Sequence, residues 1–177
     1  MKYIALHGPA YSGKTSLARE MERRGYMYIS FTDLLKTYLV RALAAVDVSL
    51  TVQQIHREKE KYRPLLQEFS KVVGWQDDPM RIHEALAPWY EAGRPSCVFD
   101  NVRDLRQAEE LLWIGFEIVE LTVTPTDQAR RAKGQPLALE HPIEQPLPDH
   151  IHRKTLDATY STAILATMLE YGINVHG

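Results

Sequence analysis

The sequence predicts an α/β protein of three layers, with helices covering both faces of a parallel sheet of about five strands. Two features point there. The runs KYIALH, YMYIS, SCVFD and FEIVELTV are short and apolar without in–out alternation, as strands buried on both faces must be. The longer stretches between them repeat apolar residues every three or four positions, the mark of helices packed by one face. The chain has 177 residues, the size of one ordinary domain, with 45% apolar and 25% charged residues and a formal net charge of −2. That balance gives no global basic field, so it does not point to nucleic acid as a partner.

Lys2–His7 is the first predicted strand. Lys14–Arg24 follows as a helix, with Leu17 and Met21 four apart and Gly25 closing it. Tyr26–Ser30 is β-rich and reads as the second strand, and Leu34–Val46 as a helix with Leu35, Leu39, Ala42 and Leu43 on one stripe. Val52–Val73 reads as mostly helical with a break before Pro64, and Arg81–Ala92 as a helix with a bend at Pro88. Ser96–Asp100 is a strand that ends in an acid, and Leu105–Ile114 is a helix closed by Gly115. Phe116–Val123 is the next strand, and Thr126–Lys133 starts a helix after Pro125. Gly134–Asp149 carries Pro136, Pro142, Pro146 and Pro148 and reads as a loop; Ile151–Leu156 is a last strand and Tyr160–Tyr171 the last helix. The N-terminal apolar stretch is broken at His7 and Gly8, so neither a signal peptide nor a membrane span is expected, and the cytoplasm is the expected location. The single cysteine, Cys97, lies in SCVF and reads as a small buried hydrophobe.

Gly8–Thr15 reads GPAYSGKT and matches the pattern G-x-x-x-x-G-K-[ST]. It follows a predicted strand and opens a predicted helix, the context that such a phosphate-cradling loop needs. Gly8 and Gly13 permit backbone turns that aim N–H groups at phosphate oxygens. The helix beginning near Lys14 adds a dipole that favours anions. Lys14 can place its ammonium on the β- and γ-phosphates, and the Thr15 hydroxyl can ligate Mg²⁺. Gly8, Ser12, Gly13, Lys14, Thr15 and Ser16 thus form the candidate set for a donor nucleotide, ATP.

In parallel sheets ligands bind beyond the carboxyl ends of the strands, and Gly8, Asp33 and Asp100 all follow predicted strands. Asp100 can hold Mg²⁺, or it is a turn aspartate. Arg103, three residues on, offers a fork for a phosphoryl group, or a surface ion pair with Asp104 or Glu109. Asp33 either caps the next helix or contacts an acceptor. Arg63 and Gln67, four apart, share one helical face and suit a phosphate and a base edge; the alternative is a solvated face of a charged helix. Arg130 and Arg131 could clamp a transferring phosphoryl group or stack on adenine, or simply complement a helix C-terminus. The segment 134–149 would then close over the site.

Several stretches together resemble the nucleoside monophosphate kinase-like P-loop kinases, and look closest to the deoxynucleoside monophosphate kinases of bacteriophages, a group similar to dephospho-coenzyme A kinases. They are GPAYSGKTSLA, ISFTDLLK, RPLLQEFSKVVG, FDNVRDLRQAEEL with the following strand, and HPIEQPLPD. The resemblance implies a P-loop kinase fold with a helical acceptor region near residues 34–93 and a short lid near 130–150. It implies that Asp33, Arg63, Gln67 and Arg103 line a monophosphate pocket and that Arg130 and Lys133 belong to the lid side. SKVVGWQDD, DNVRDLRQ and Ile143 depart from the family's pattern, and they bear on the acceptor more than on the donor. The expected reaction is Mg²⁺-assisted phosphoryl transfer from ATP to a (deoxy)nucleoside 5′-monophosphate, with Lys14, Arg103 and Arg130 as catalytic residues. The expected partners are small-molecule nucleotides, with no membrane and with a homodimer left open. A kinase for a hydroxyl acceptor, with Asp33 as base, and a non-catalytic nucleotide switch are the rival readings.

Overall fold

A computed structural model of the protein describes residues 1–75, 80–132 and 147–173. The strands are β1 (Tyr3–His7), β2 (Met27–Ser30), β3 (Cys97–Asp100), β4 (Glu117–Thr122) and β5 (Arg153–Asp157). The helices are α1 (Lys14–Arg23), α2 (Phe31–Ala44), α3 (Val52–Arg57), α4 (Lys59–Val72), α5 (Met80–Glu91), α6 (Leu105–Ile114), α7 (Pro125–Ala132) and α8 (Thr162–Tyr171). The strands form one sheet in the order β2-β3-β1-β4-β5, and β1 runs parallel to both β3 and β4, as β4 does to β5. This is the predicted α/β architecture, with β1, which leads into Gly8–Thr15, as the central strand.

The chain divides into two compact units, residues 1–29 with 88–177, and residues 30–87. In the first, the strands' period of two sorts side chains between faces. Ile4, Leu6, Val98, Val119, Leu121 and Leu156 pack with Leu17, Ala18 and Met21 of α1 and Leu165, Ala166 and Leu169 of α8. Each buried Ile, Leu, Val or Met side chain among them contributes about 1.5–3 kcal/mol relative to exposure. Residues of the opposite parity, Tyr3, Phe99 and Phe116, join Trp89 in an aromatic cluster, with Tyr3 edge-on to Trp89 at 4.9 Å between ring centres. Cys97 is fully buried in β3, and burial pushes its thiol up to about 12. Among the described residues no helix is long and apolar enough to cross a membrane.

The second unit is helical. Ile55, Leu35, Leu39 and Leu66 form its interior with Phe31 and Trp75, whose rings lie 5.3 Å apart. Thr51 and Gln54 make a reciprocal capping box at the start of α3. Two expectations fail here. The break in the 52–73 stretch falls at Glu58, between α3 and α4, and Pro64 lies inside α4. Helix α2 starts three residues before the expected Leu34, because the Ser30 hydroxyl accepts from Asp33 N–H at 3.2 Å and caps it. Asp33 is therefore the third residue of the helix and not its cap.

Candidate functional site

β1 delivers the chain to Gly8 at φ +136°, where a Cβ would stand 2.5 Å from the backbone oxygen of Leu121 in β4. Only glycine fits that approach. Gly13 ends the loop at φ +98° as the residue before α1, and Tyr11 between them is left-handed at φ +61°. The first turn of α1 therefore opens at the loop. Lys14 folds back so that Nζ donates to the carbonyls of Gly8 and Pro9 at 2.5 and 2.8 Å. Ser12 is buried, and its Oγ has no hydrogen-bond partner among the described residues. Ser16 is exposed on the first turn of α1.

Asp100 shares the parity of Val98, so its side chain emerges on the face that α1 covers. The Thr15 hydroxyl donates to Asp100 Oδ2 at 3.1 Å, and the Tyr28 hydroxyl donates to the same oxygen at 2.9 Å. Asp100 is 6% exposed, and its Oδ1 has no partner among the described residues. A buried carboxylate oxygen without a partner is costly unless a cation or its water takes it. Among the described residues no three His, Cys, Asp or Glu side chains gather as a metal cluster. Mg²⁺ does not require one, since it is commonly held by one or two protein ligands, phosphate oxygens and water. Thr15 and Asp100 fit that pattern.

The segment after β3 is stitched to β1. Val102 N–H donates to Leu6 O at 2.8 Å, and Val102 O lies 3.0 Å from His7 Nδ1. A carbonyl oxygen only accepts, so Nδ1 carries the proton. Burial lowers the His7 pKa, against the opposing pull of that bond and of Glu120. Arg103 lies against Asn101, a residue at φ +79°. With the Asn101 amide oriented by its hydrogen bonds, its oxygen accepts from Arg103 Nη2 at 2.8 Å and Nε at 2.9 Å. Asp104 caps α6 by accepting from Gln107 N–H at 2.9 Å.

The two arginines of α7 separate. Arg130 is 75% exposed and donates to Asp127 at 2.7 Å. Arg131 is the one that reaches the loop: Nη1 donates to Ser12 O at 3.0 Å and Nη2 to Ala158 O. Gln128, buried one turn earlier, donates from Nε2 to Ala10 O at 2.9 Å. Of the two arginines expected as a clamp, Arg131 contacts the loop, together with Gln128, while Arg130, expected in the catalytic and donor sets, pairs with Asp127. Gln128 was missed, although its four-residue spacing from the buried Ala132 marks the inner face of α7. Lys133 and residues 134–146 of the expected lid lie outside the described residues.

In the helical unit Asp33 accepts from Lys36 Nζ at 2.7 Å and lies 3.1 Å from His56 Nε2. Lys36 is 5% exposed, so its ammonium depends on that carboxylate. Arg63 on α4 pairs with Glu60 at 2.8 Å, and Gln67 is one turn further on the same face.

No family model matches this sequence, and no curated protein matches it. Among solved structures, the chain is similar to a sugar kinase from Janibacter sp., with 13% identity, 99% of each chain covered and a TM-score of 0.58. It is similar to a gluconokinase from Sinorhizobium meliloti, with 16% identity, 97% of this chain and 90% of that one covered and a TM-score of 0.52. A third structure, from Chloroflexus aurantiacus, covers 98% of both chains at 16% identity and a TM-score of 0.55. At these identities the likeness speaks for the fold alone: the chain has the three-layer α/β fold of these structures.

Proposed function

We propose that this protein transfers the γ-phosphoryl group of ATP, with Mg²⁺, to a (deoxy)nucleoside 5′-monophosphate. The observation that carries the transfer reaction is the loop Gly8–Thr15 with the Thr15 hydroxyl against the buried Asp100. The nucleotide acceptor rests on the residue types at Asp33, Arg63, Gln67 and Arg103. Loop N–H groups and the Lys14 ammonium bind donor phosphates; for this Lys14 exchanges its two loop carbonyls for phosphate oxygens. Thr15 and Asp100 hold the cation, which when bound neutralises charge on the phosphates. Arg103 supplies a planar fork for a phosphoryl group. A monophosphate acceptor is already anionic, so positioning and charge neutralisation carry the reaction without a base.

A second reading, a hydroxyl acceptor, is kept by one observation: Lys36 and His56 both contact Asp33 Oδ1, so the carboxylate is held in place, as a base must be. An ATP-consumption screen against the full set of nucleoside monophosphates, with gluconate and simple sugars alongside, tests both readings. Turnover with a monophosphate and none with polyols supports the first; the reverse overturns it. The variant Asp33→Asn sharpens the result. It weakens acceptor binding if the acceptor is a phosphate, and abolishes turnover if Asp33 is the base.

A further inference from the structure

Tyr28 takes no part in the reaction described above, yet its hydroxyl enters the centre of the site. It lies on β2, next to β3 in the sheet, and donates to Asp100 Oδ2 at 2.9 Å. Thr15 donates to that same oxygen at 3.1 Å. Two donors on one oxygen leave the carboxylate asymmetric: Oδ2 is saturated, and the buried Oδ1 is without a partner among the described residues. The ring is itself held. Arg19, one helical turn after Thr15 on α1, places its guanidinium 4.1 Å from the Tyr28 ring centre. Thr15, Asp100, Tyr28 and Arg19 therefore close a circuit between α1, β3 and β2.

We propose that Tyr28 is a positioning residue for the metal-side carboxylate, holding Asp100 in the one rotamer that keeps Oδ1 for Mg²⁺ or its water. The inference rests on the proposed ATP·Mg²⁺ reaction. A carboxylate that ligates a metal is oriented by the hydrogen bonds its other oxygen accepts, and losing such an outer partner typically weakens metal affinity about 10–100-fold. Thr15 is not the only restraint. Its hydroxyl oxygen can face the cation while its proton stays on Asp100 Oδ2, and Tyr28 adds a second donor from β2 that fixes the carboxylate independently of the loop. Arg19 acts one step further out, by keeping the ring over α1.

The test is Tyr28→Phe, which removes the hydroxyl and keeps the ring. ADP affinity is measured by calorimetry in Mg²⁺ and in EDTA, and Mn²⁺ binding to the ADP-loaded protein by electron paramagnetic resonance. The Mg²⁺ concentration for half-maximal turnover is followed in parallel. Weaker Mn²⁺ binding and a higher Mg²⁺ requirement, each by about tenfold, with ADP affinity in EDTA unchanged, support the proposal. A purely structural role would instead lower ADP affinity equally with and without metal, and that outcome overturns it. Arg19→Gln, which leaves both hydroxyls in place, should move the Mg²⁺ requirement in the same direction by a smaller factor, and keeps the proposal testable if Tyr28→Phe folds poorly. Asp100→Asn separates the levels. If it raises the Mg²⁺ requirement while a folded Tyr28→Phe does not, the role of Tyr28 is overturned and the metal reading of Asp100 stands. If neither variant moves it, both fall.

Discussion

The phosphate loop and the helical unit of residues 30–87 hold their charged side chains by different means. Arg131 reaches Ser12 across 119 positions of sequence, and Gln128 reaches Ala10 across 118. Those bonds join residues far apart in sequence, and they fix the carbonyls of Ala10 and Ser12 in the loop. In the helical unit Arg63, Lys61 and Lys71 each pair with a glutamate three residues earlier. Such exposed pairs within one helix are individually weak. They can be exchanged for a ligand at small cost, and they hold nothing in place for it. The loop Gly8–Thr15 is thus held by tertiary contacts, and the cations of α4 are held in local pairs.

If that contrast is right, substitutions in the loop should cost far more than those on the helices. The largest effect is expected for Gly8→Ala. Its methyl would meet the Leu121 carbonyl oxygen at 2.5 Å at a backbone angle of +136°. A strained φ alone costs about 1–3 kcal/mol, and the clash with backbone adds to it. Denaturant unfolding should show a loss of about 3 kcal/mol or more, with nucleotide binding gone; wild-type stability would mean that the close approach is not tight. Next, Lys14→Ala should lower turnover by ~10²–10³, about 3–4 kcal/mol in the transition state, with the folded state intact by circular dichroism. Normal turnover in a folded variant would remove the phosphate-loop assignment.

The α7 arginines sharpen the contrast within a single turn of helix. Arg131→Ala should weaken ATP binding, because losing a charge-assisted bond typically costs about 1.5–3 kcal/mol. Arg130→Ala, which removes an exposed pair with Asp127, should change ATP affinity and stability by less than about 0.5 kcal/mol. Equal effects would break the distinction drawn between the two residues. Arg63→Ala should leave stability nearly unchanged while raising the acceptor KM about tenfold to 150-fold, with the ATP KM unmoved. A shift in the ATP KM alone would place Arg63 outside the acceptor site.

The smallest effect is expected from pH. Burial depresses the folded pKa of His7 below its ordinary value of 6.5. The folded state therefore favours the neutral ring, and the unfolded chain binds the proton more readily. Stability is complete above about pH 6.5 and is lost as pH falls from there through the lowered folded pKa. Equilibrium unfolding at stepped pH values should show that decline, and His7→Gln should flatten it.

The loop was legible because its signal is local: two glycines, a lysine and a threonine at fixed spacing between a strand and a helix. Asp100 was legible as a strand end; its direction shows only in the structure, where it shares the parity of Val98. Arg131 and Tyr28 were harder, since their partners lie far away in sequence and only the assembled sheet shows which donors converge. The phase of α7 did carry a clue, with buried Gln128 and Ala132 four apart. The start of α2 was legible as well, because Ser30 stands three residues before Asp33 in the spacing of a helix cap. It was passed over because YMYIS reads as strand to its last residue. Pro64 misled in the other direction: a helix-breaking residue is tolerated inside α4.

The state of Cys97 has a practical consequence for spectroscopy. It is the protein's only cysteine, fully buried, with its thiol pushed up to about 12. Thiol dyes react with the thiolate, which such a site withholds at neutral pH. The folded protein is thus a dark background for labelling. A single cysteine introduced at an exposed position, such as Trp113→Cys on α6, could carry a fluorophore or spin label without removal of the native residue. Two such positions, one in each compact unit, would let distances be measured directly as nucleotides are added.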